Sequence, residues 1–126
     1  MKKYRTGIAG SAHIHSHLYS LSTVPNIELV AAVAQTEVEK KTFQAYGLST
    51  FYQSYEEMLD SENLDIVEID SDPSQRYKMT LAAAKRHIHV LGEKPIAVSL
   101  ESADKMVKAC EKAEVQFATR NIRRCD

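Results

Sequence analysis

The segment Gly7-Ile8-Ala9-Gly10-Ser11-Ala12-His13-Ile14-His15 holds the first residues whose types and spacing could do chemistry. A backbone that turns tightly and lies against a pyrophosphate needs small residues at fixed intervals. One glycine makes the turn, a second allows the close approach, and a third lets the following helix pack. Gly10 can fill the first place, Ala12 stands in the second and His15 in the third. Ala12 is a small departure and His15 a large one, so this segment alone leaves a plain strand-to-helix turn open. If a dinucleotide binds here, Gly10, Ser11, Ala12, His13 and Ile14 are the candidate contacts.

Three further places qualify. Dinucleotide folds usually carry an acidic residue after the second strand, on the adenine ribose. Here Ala34-Gln35-Thr36 offers Gln35, which can hydrogen-bond a hydroxyl, brings no charge and would not repel a 2′-phosphate. Glu93-Lys94-Pro95 follows a buried strand; Lys94 could donate to a substrate hydroxyl or the nicotinamide edge, and burial could make it a proton shuttle. His13, His15 and His17 form the third group. Two imidazoles two residues apart after a strand are a ligand pattern of barrel-type metal-dependent hydrolases, and His13 and His17 would share a face if the helix starts early. A chain of 126 residues cannot make a barrel of about 250. No metal ligand is therefore assigned, and the histidines are read as helix N-terminal donors and surface groups.

These residues need elements to position them, and the chain alternates short apolar runs with helical periodicity. Strands are expected over 4–9, 27–34, 51–52, 65–69, 88–91 and 115–118. Helices are expected over 13–22, 37–46, from Ser54, over 73–86 and from Ser99. Ile27 to Ala34 is nearly all apolar, as in a strand buried on both faces. Gly47 stops the second helix. Ser54 and Glu57 have the spacing of a capping box. Tyr77, Leu81 and Ala84 share one side of the fourth helix, and Ala103, Met106, Val107 and Cys110 one stripe of the fifth. Strands alternating with helices imply a doubly wound parallel sheet in an α/β, Rossmann-like single domain. Ligands of such sheets bind beyond the carboxyl ends of the strands. That rim would gather Gly10 to His13, Gln35, Ser71, Asp72, Pro73, Glu93, Lys94 and Pro95.

Composition narrows the function classes. Apolar residues at 44% and charged residues at 26% describe a globular domain. A net charge of -1 gives no global drive toward nucleic acid or an anionic membrane, so neither is expected as a partner. No stretch is long enough to span a bilayer, and Cys110 and Cys125 read as free thiols, which together suggest a cytoplasmic protein.

With these residues assembled, the chain resembles the N-terminal domain of the glucose-fructose oxidoreductase, inositol dehydrogenase and rhizopine-catabolism (Gfo/Idh/MocA) family. The likeness runs through Gly7-Ile8-Ala9-Gly10, Ile27 to Val33, Ala45-Tyr46-Gly47, Tyr55 to Leu59, His89 to Pro95 and Asn121-Ile122-Arg123-Arg124. The run ending in Glu-Lys-Pro is its specific part. The resemblance implies NAD or NADP over the first crossing loop and hydride transfer at a sugar, cyclitol or related polyol carbon. It implies Lys94 beside the nicotinamide as acid and base, oriented by Glu93. It also implies a substrate-binding α+β domain beyond residue 126. On that expectation these 126 residues turn over little alone, and an apolar surface near the last strand is left to self-association as a homo-oligomer. A non-catalytic nucleotide-binding or oligomerisation module is the alternative, and a metal-dependent hydrolase fragment a third. Two departures stand on the rim. Asp70 and Asp72 occupy places where the family has a small residue and Pro, and they would repel pyrophosphate unless they point away or bind a cation. Glu68 lies inside a strand, where a buried charge requires a partner.

Overall fold

The protein is described from a computed structural model that defines residues 1–10 and 13–120. The elements alternate throughout: β1 (Tyr4–Ala9), α1 (Ile14–Ser22), β2 (Ile27–Val33), α2 (Glu37–Ala45), β3 (Phe51–Tyr52) and α3 (Tyr55–Ser61). The second half continues with β4 (Ile66–Ile69), α4 (Pro73–Lys85), β5 (His89–Glu93), α5 (Leu100–Ala113) and β6 (Phe117–Arg120). The six strands stand in the order β3-β2-β1-β4-β5-β6, and every pairing is parallel. This is the expected doubly wound sheet. The chain runs outward from β1 to β3, crosses back, and runs outward again from β4 to β6. The switch point therefore lies between the carboxyl ends of β1 and β4.

Alternation along the central strands divides the core. Ile8 of β1 joins Leu18, Ala32, Ala34, Phe43 and Leu48 under α1 and α2. Its neighbour Ala9 points the other way, into the cluster of Tyr55, Met58, Leu59, Val67, Ile69 and Ala83 under α3 and α4. Val67 and Ile69 face α3 and α4, so Glu68 between them must point to the side that α1 covers. The helices begin where capping side chains end the extended chain. Thr36, Ser54, Asp72 and Ser99 each accept a backbone N–H from the first turn of their helix. No helix among the described residues is long and apolar enough to cross a membrane.

Four expectations need correction. The face that α4 turns to the sheet is Arg76, Thr80, Ala83 and Ala84; of the expected Tyr77, Leu81 and Ala84, only Ala84 is buried. Leu81 borders α5, since α4 carries that helix on its outer side. On α5, Val107 is 39% exposed and only Met106 and Cys110 of the expected stripe are buried. β6 starts two residues later than expected. Glu114 ends α5 in the left-handed conformation, φ 59°, and Val115 N–H is engaged by the Cys110 carbonyl at 3.0 Å. β5 conversely runs on to Glu93, which pairs with Arg120.

Candidate functional site

A groove of about 500 Å³ crosses the carboxyl rim on the β1–β2 side. Ala9 and Gly10 line it from β1, Val33 and Gln35 from β2, and Gln53, Ser54, Tyr55 and Glu56 from the start of α3. Ser71, Gln75, Lys78 and Met79 line it from α4 and the turn before it, and Glu39 from α2. Gly10 has φ 103°, and a Cβ there would stand 2.2 Å from the Asp70 carbonyl oxygen. Only glycine meets both demands. The Tyr55 hydroxyl donates to the Met79 carbonyl at 2.8 Å and ties α3 to α4; burial pushes this phenol's pKa up.

A second, ionic assembly lies beside the groove, below the N-terminus of α1. His13 is the residue before α1, and its backbone N–H donates to Asp70 Oδ2 at 2.5 Å. Its ring Nδ1 lies 3.1 Å from Asp70 Oδ1 and stacks on His17, with centroids 6.0 Å apart. His17, one turn further, is buried. Its Nδ1 contacts Glu68 Oε1 and its Nε2 lies 2.8 Å from Glu93 Oε2. Arg120 Nη1 reaches Glu68 Oε1 at 3.3 Å. Burial opposes protonation of His17 and is the largest influence on it. The hydrogen bond to Glu68 and the charges of Glu68 and Asp70 together outweigh it, raising the imidazole above 6.5. The partner required for the in-strand Glu68 is thus supplied by α1 and β6.

The loop after β5 is anchored from below. Arg76, 4% exposed, donates to the carbonyls of Ser71 at 2.9 Å and Glu93 at 2.9 Å, and also to that of Pro95. The Lys94–Pro95 peptide is cis. Glu93 Oε1 accepts the Lys94 backbone N–H at 3.2 Å. The Lys94 side chain is exposed, so the burial expected of it is not found.

Of the residues singled out from sequence, Gly10, Gln35 and Ser71 line the groove. Asp72 turns away from it to cap α4; its bonds to Ser74 hold the carboxyl below the usual range, and Pro73 takes the first helical position beside it. His13 and Glu93 belong to the ionic assembly, and Lys94 and Pro95 to the loop above it. Ser11 and Ala12 lie outside the described residues, as does the side chain of Ile14. His15 is exposed, its ring tilted against Tyr46 at 6.3 Å, and takes no part with His13 and His17. Sequence reasoning missed the contributions of Arg76, Glu39 and Gln53, and the meeting of Glu68, Asp70 and Arg120 with His17. The one available signal was three acidic residues, Glu68, Asp70 and Asp72, at alternate positions around the end of an apolar strand.

Residues 4–120 match the family model described as the oxidoreductase family with an NAD-binding Rossmann fold, GFO_IDH_MocA. The chain belongs to the Gfo/Idh/MocA oxidoreductase family. It is 29% identical over 117 residues to D-apiose dehydrogenase of Paraburkholderia graminis, covering 91% of this chain and 31% of that protein. It is 34% identical over 119 residues to glucose-6-phosphate 3-dehydrogenase of Bacillus subtilis, covering 92% and 32%. The crystal structure of myo-inositol 2-dehydrogenase from Lactobacillus plantarum superposes with a TM-score of 0.89 at 28% identity, over 99% of this chain and 38% of that one. The chain thus spans about a third of the length of these relatives. The family's cofactor is a nicotinamide dinucleotide, and the groove fits it. Gly10 leaves the backbone bare at the switch point, and Gln35 stands where the adenine ribose lies in this fold.

Proposed function

We propose that the chain is the nucleotide-binding part of an NAD-dependent oxidoreductase acting on a sugar, cyclitol or related polyol. The groove over the β1–β4 switch point, floored by Gly10, is the observation that carries this reading. When bound, the dinucleotide supplies a hydride acceptor or donor. Gly10 and Ser71 would take its phosphates, with Ser11, Ala12 and His13 completing the loop, and Gln35 and Glu39 would take the adenine ribose. Glu39 and Glu56 are the carboxylates of the groove wall and Lys78 its cation, a balance that favours NAD over a 2′-phosphorylated dinucleotide. Lys94, exposed one residue beyond β5, is the group we assign to proton transfer with a substrate hydroxyl. Glu93 and Arg76 position its loop through the Lys94 N–H and the Glu93 and Pro95 carbonyls. Substrate contacts are not assigned to these 126 residues, and little turnover by them alone is expected. The free, buried Cys110 suits a reducing cytoplasm.

One observation favours a second reading, a non-catalytic nucleotide-binding or self-associating module. Asp70 already accepts the His13 N–H, a donor that a phosphate would use. An apolar groove lined by Tyr4, Ile27, Ile66, Leu91 and Ala118 on the α1 side of the sheet would be the surface for self-association. Fluorescence titration with NADH and NADPH in the presence of EDTA separates a dinucleotide-binding domain from a module that only self-associates. Saturable NADH binding, tighter than NADPH, supports the oxidoreductase domain. No binding of either at millimolar concentration overturns it, and light scattering then tests the self-associating module.

A further inference from the structure

Glu68, Asp70 and Glu93 bury their carboxylates to 0, 1 and 4% exposure within one neighbourhood at the ends of β4 and β5. Charges so placed are costly unless compensated. Arg120 is the guanidinium that reaches them, through Glu68. Arg76, although buried close by, is engaged by the carbonyls of Ser71, Glu93 and Pro95. Glu68 Oε2 is buried with no hydrogen-bond partner among the described residues. Three carboxylates against one guanidinium leave a deficit of two positive charges, to be met by the imidazoles or by a bound cation.

The geometry says what could make up that deficit. One ligand atom from each of His13, His17, Asp70 and Glu93 lies within 4.8 Å of the other three. Donors around a tetrahedral ion with bonds of about 2.0–2.1 Å stand roughly 3.4 Å apart. Closure therefore needs shifts on the order of 1 Å. His17 is already oriented for ligation. Glu68 lies against its Nδ1 from behind, in contact though without a well-formed hydrogen bond, and its Nε2 faces Glu93 at 2.8 Å. A carboxylate on the far nitrogen fixes a ligating imidazole in this way. His13, its side chain 56% exposed, leaves the site open toward the rim. Two imidazoles with two carboxylates select a first-row transition ion over calcium or magnesium.

We propose that His13, His17, Asp70 and Glu93 form a binding site for a divalent transition-metal ion, zinc or a chemical equivalent, with Glu68 as the positioning residue behind His17. The site uses none of the side chains that line the dinucleotide groove, although His13 also stands at the end of the loop proposed to hold the phosphates.

The test is titration of the EDTA-stripped, desalted chain with Co²⁺, followed by its visible d–d absorption, and then displacement by Zn²⁺. One saturable equivalent is expected. His13→Ala removes an exposed side chain and should fold, which circular dichroism checks; it should weaken binding by at least about tenfold, as should the near-isosteric Asp70→Asn. His15→Ala and His87→Ala should leave binding unchanged. Absence of saturable binding at millimolar Co²⁺ overturns the proposal. So does binding that a folded His13→Ala retains in full, or that His15→Ala abolishes. NADH titration in EDTA reads the groove without the ion, so this site and the cofactor reading fail independently.

Discussion

The groove and the ionic assembly lie at the same rim of one sheet, yet they are built differently. Gln35, Gln53, Ser54, Glu56 and Gln75 wall the groove with exposed polar groups, and Gln35 makes one long bond, 3.4 Å, to the Gln53 carbonyl. The assembly under α1 buries His17, Glu68, Asp70 and Glu93 to 4% exposure or less; His17 meets both glutamates, and Asp70 is bound to His13. Apart from the Ser54 cap and the long Gln35 bond, the first region leaves these exposed side chains open to a ligand. The second buries its polar groups against one another, with Glu68 Oε2 left unpartnered among the described residues, so its members should depend on one another as groove residues do not.

The largest effect should follow from breaking the second region. His17→Leu removes the imidazole that Glu68 and Glu93 share and leaves their charges buried without it. A loss of about 3–5 kcal/mol in urea unfolding is expected. Gln35→Ala, at the exposed groove wall, should stay within about 0.5 kcal/mol. If the two variants unfold alike, the distinction between the regions collapses.

Gly10→Ala comes next, because Gly10 touches both regions. Its φ of 103° and the Asp70 carbonyl, 2.2 Å from any Cβ, make every side chain there strained. A stability loss of about 1–3 kcal/mol is expected, with NADH affinity falling by at least about tenfold. Urea unfolding and NADH fluorescence read the two effects apart. Lost stability with unchanged affinity would place Gly10 with the ionic assembly alone.

The same contrast explains what the sequence disclosed. The alternation of strands and helices, and with it the doubly wound sheet, was legible because short apolar runs mark the strands and the helices follow a period near 3.6. Gly10, Gln35 and Ser71 were legible because a doubly wound sheet must bring its carboxyl ends to one rim. The ionic assembly was not, since its members come from α1, β4, β5 and β6, as far apart as His13 and Arg120. Periodicity could say that Glu68 needed a partner but not which residue the next layer would supply. The phase of α4 was missed for a related reason. Leu81 looks like part of a core face until α5 takes it as its own support, and the sheet-facing row contains Arg76 and Thr80, which hydropathy reads as surface.

Tyr55→Phe sharpens the comparison at the groove's floor. Tyr55 is 8% exposed and its hydroxyl donates to the Met79 carbonyl at 2.8 Å. Removing that one buried bond should cost about 1 kcal/mol in urea unfolding. The groove wall then has no structural stake, but its floor has a modest one. A loss as large as that of His17→Leu would make the floor as interdependent as the ionic assembly.

The smallest effect is expected on the groove wall itself. Glu39 is half-buried in the first turn of α2, where its backbone N–H is held by Thr36 Oγ1 at 3.1 Å, so the main chain stays fixed when its carboxylate changes. Two charges about 4 Å apart in a water-like medium interact by about 1 kcal/mol. Glu39→Gln should therefore improve NADPH affinity roughly fivefold while NADH changes by less than about twofold. The gain should shrink with added salt, because the groove is open and ions screen it. An unchanged NADPH affinity would mean that the Glu39 carboxylate does not face the 2′-phosphate, leaving Gln35, which carries no charge, as the residue beside the ribose.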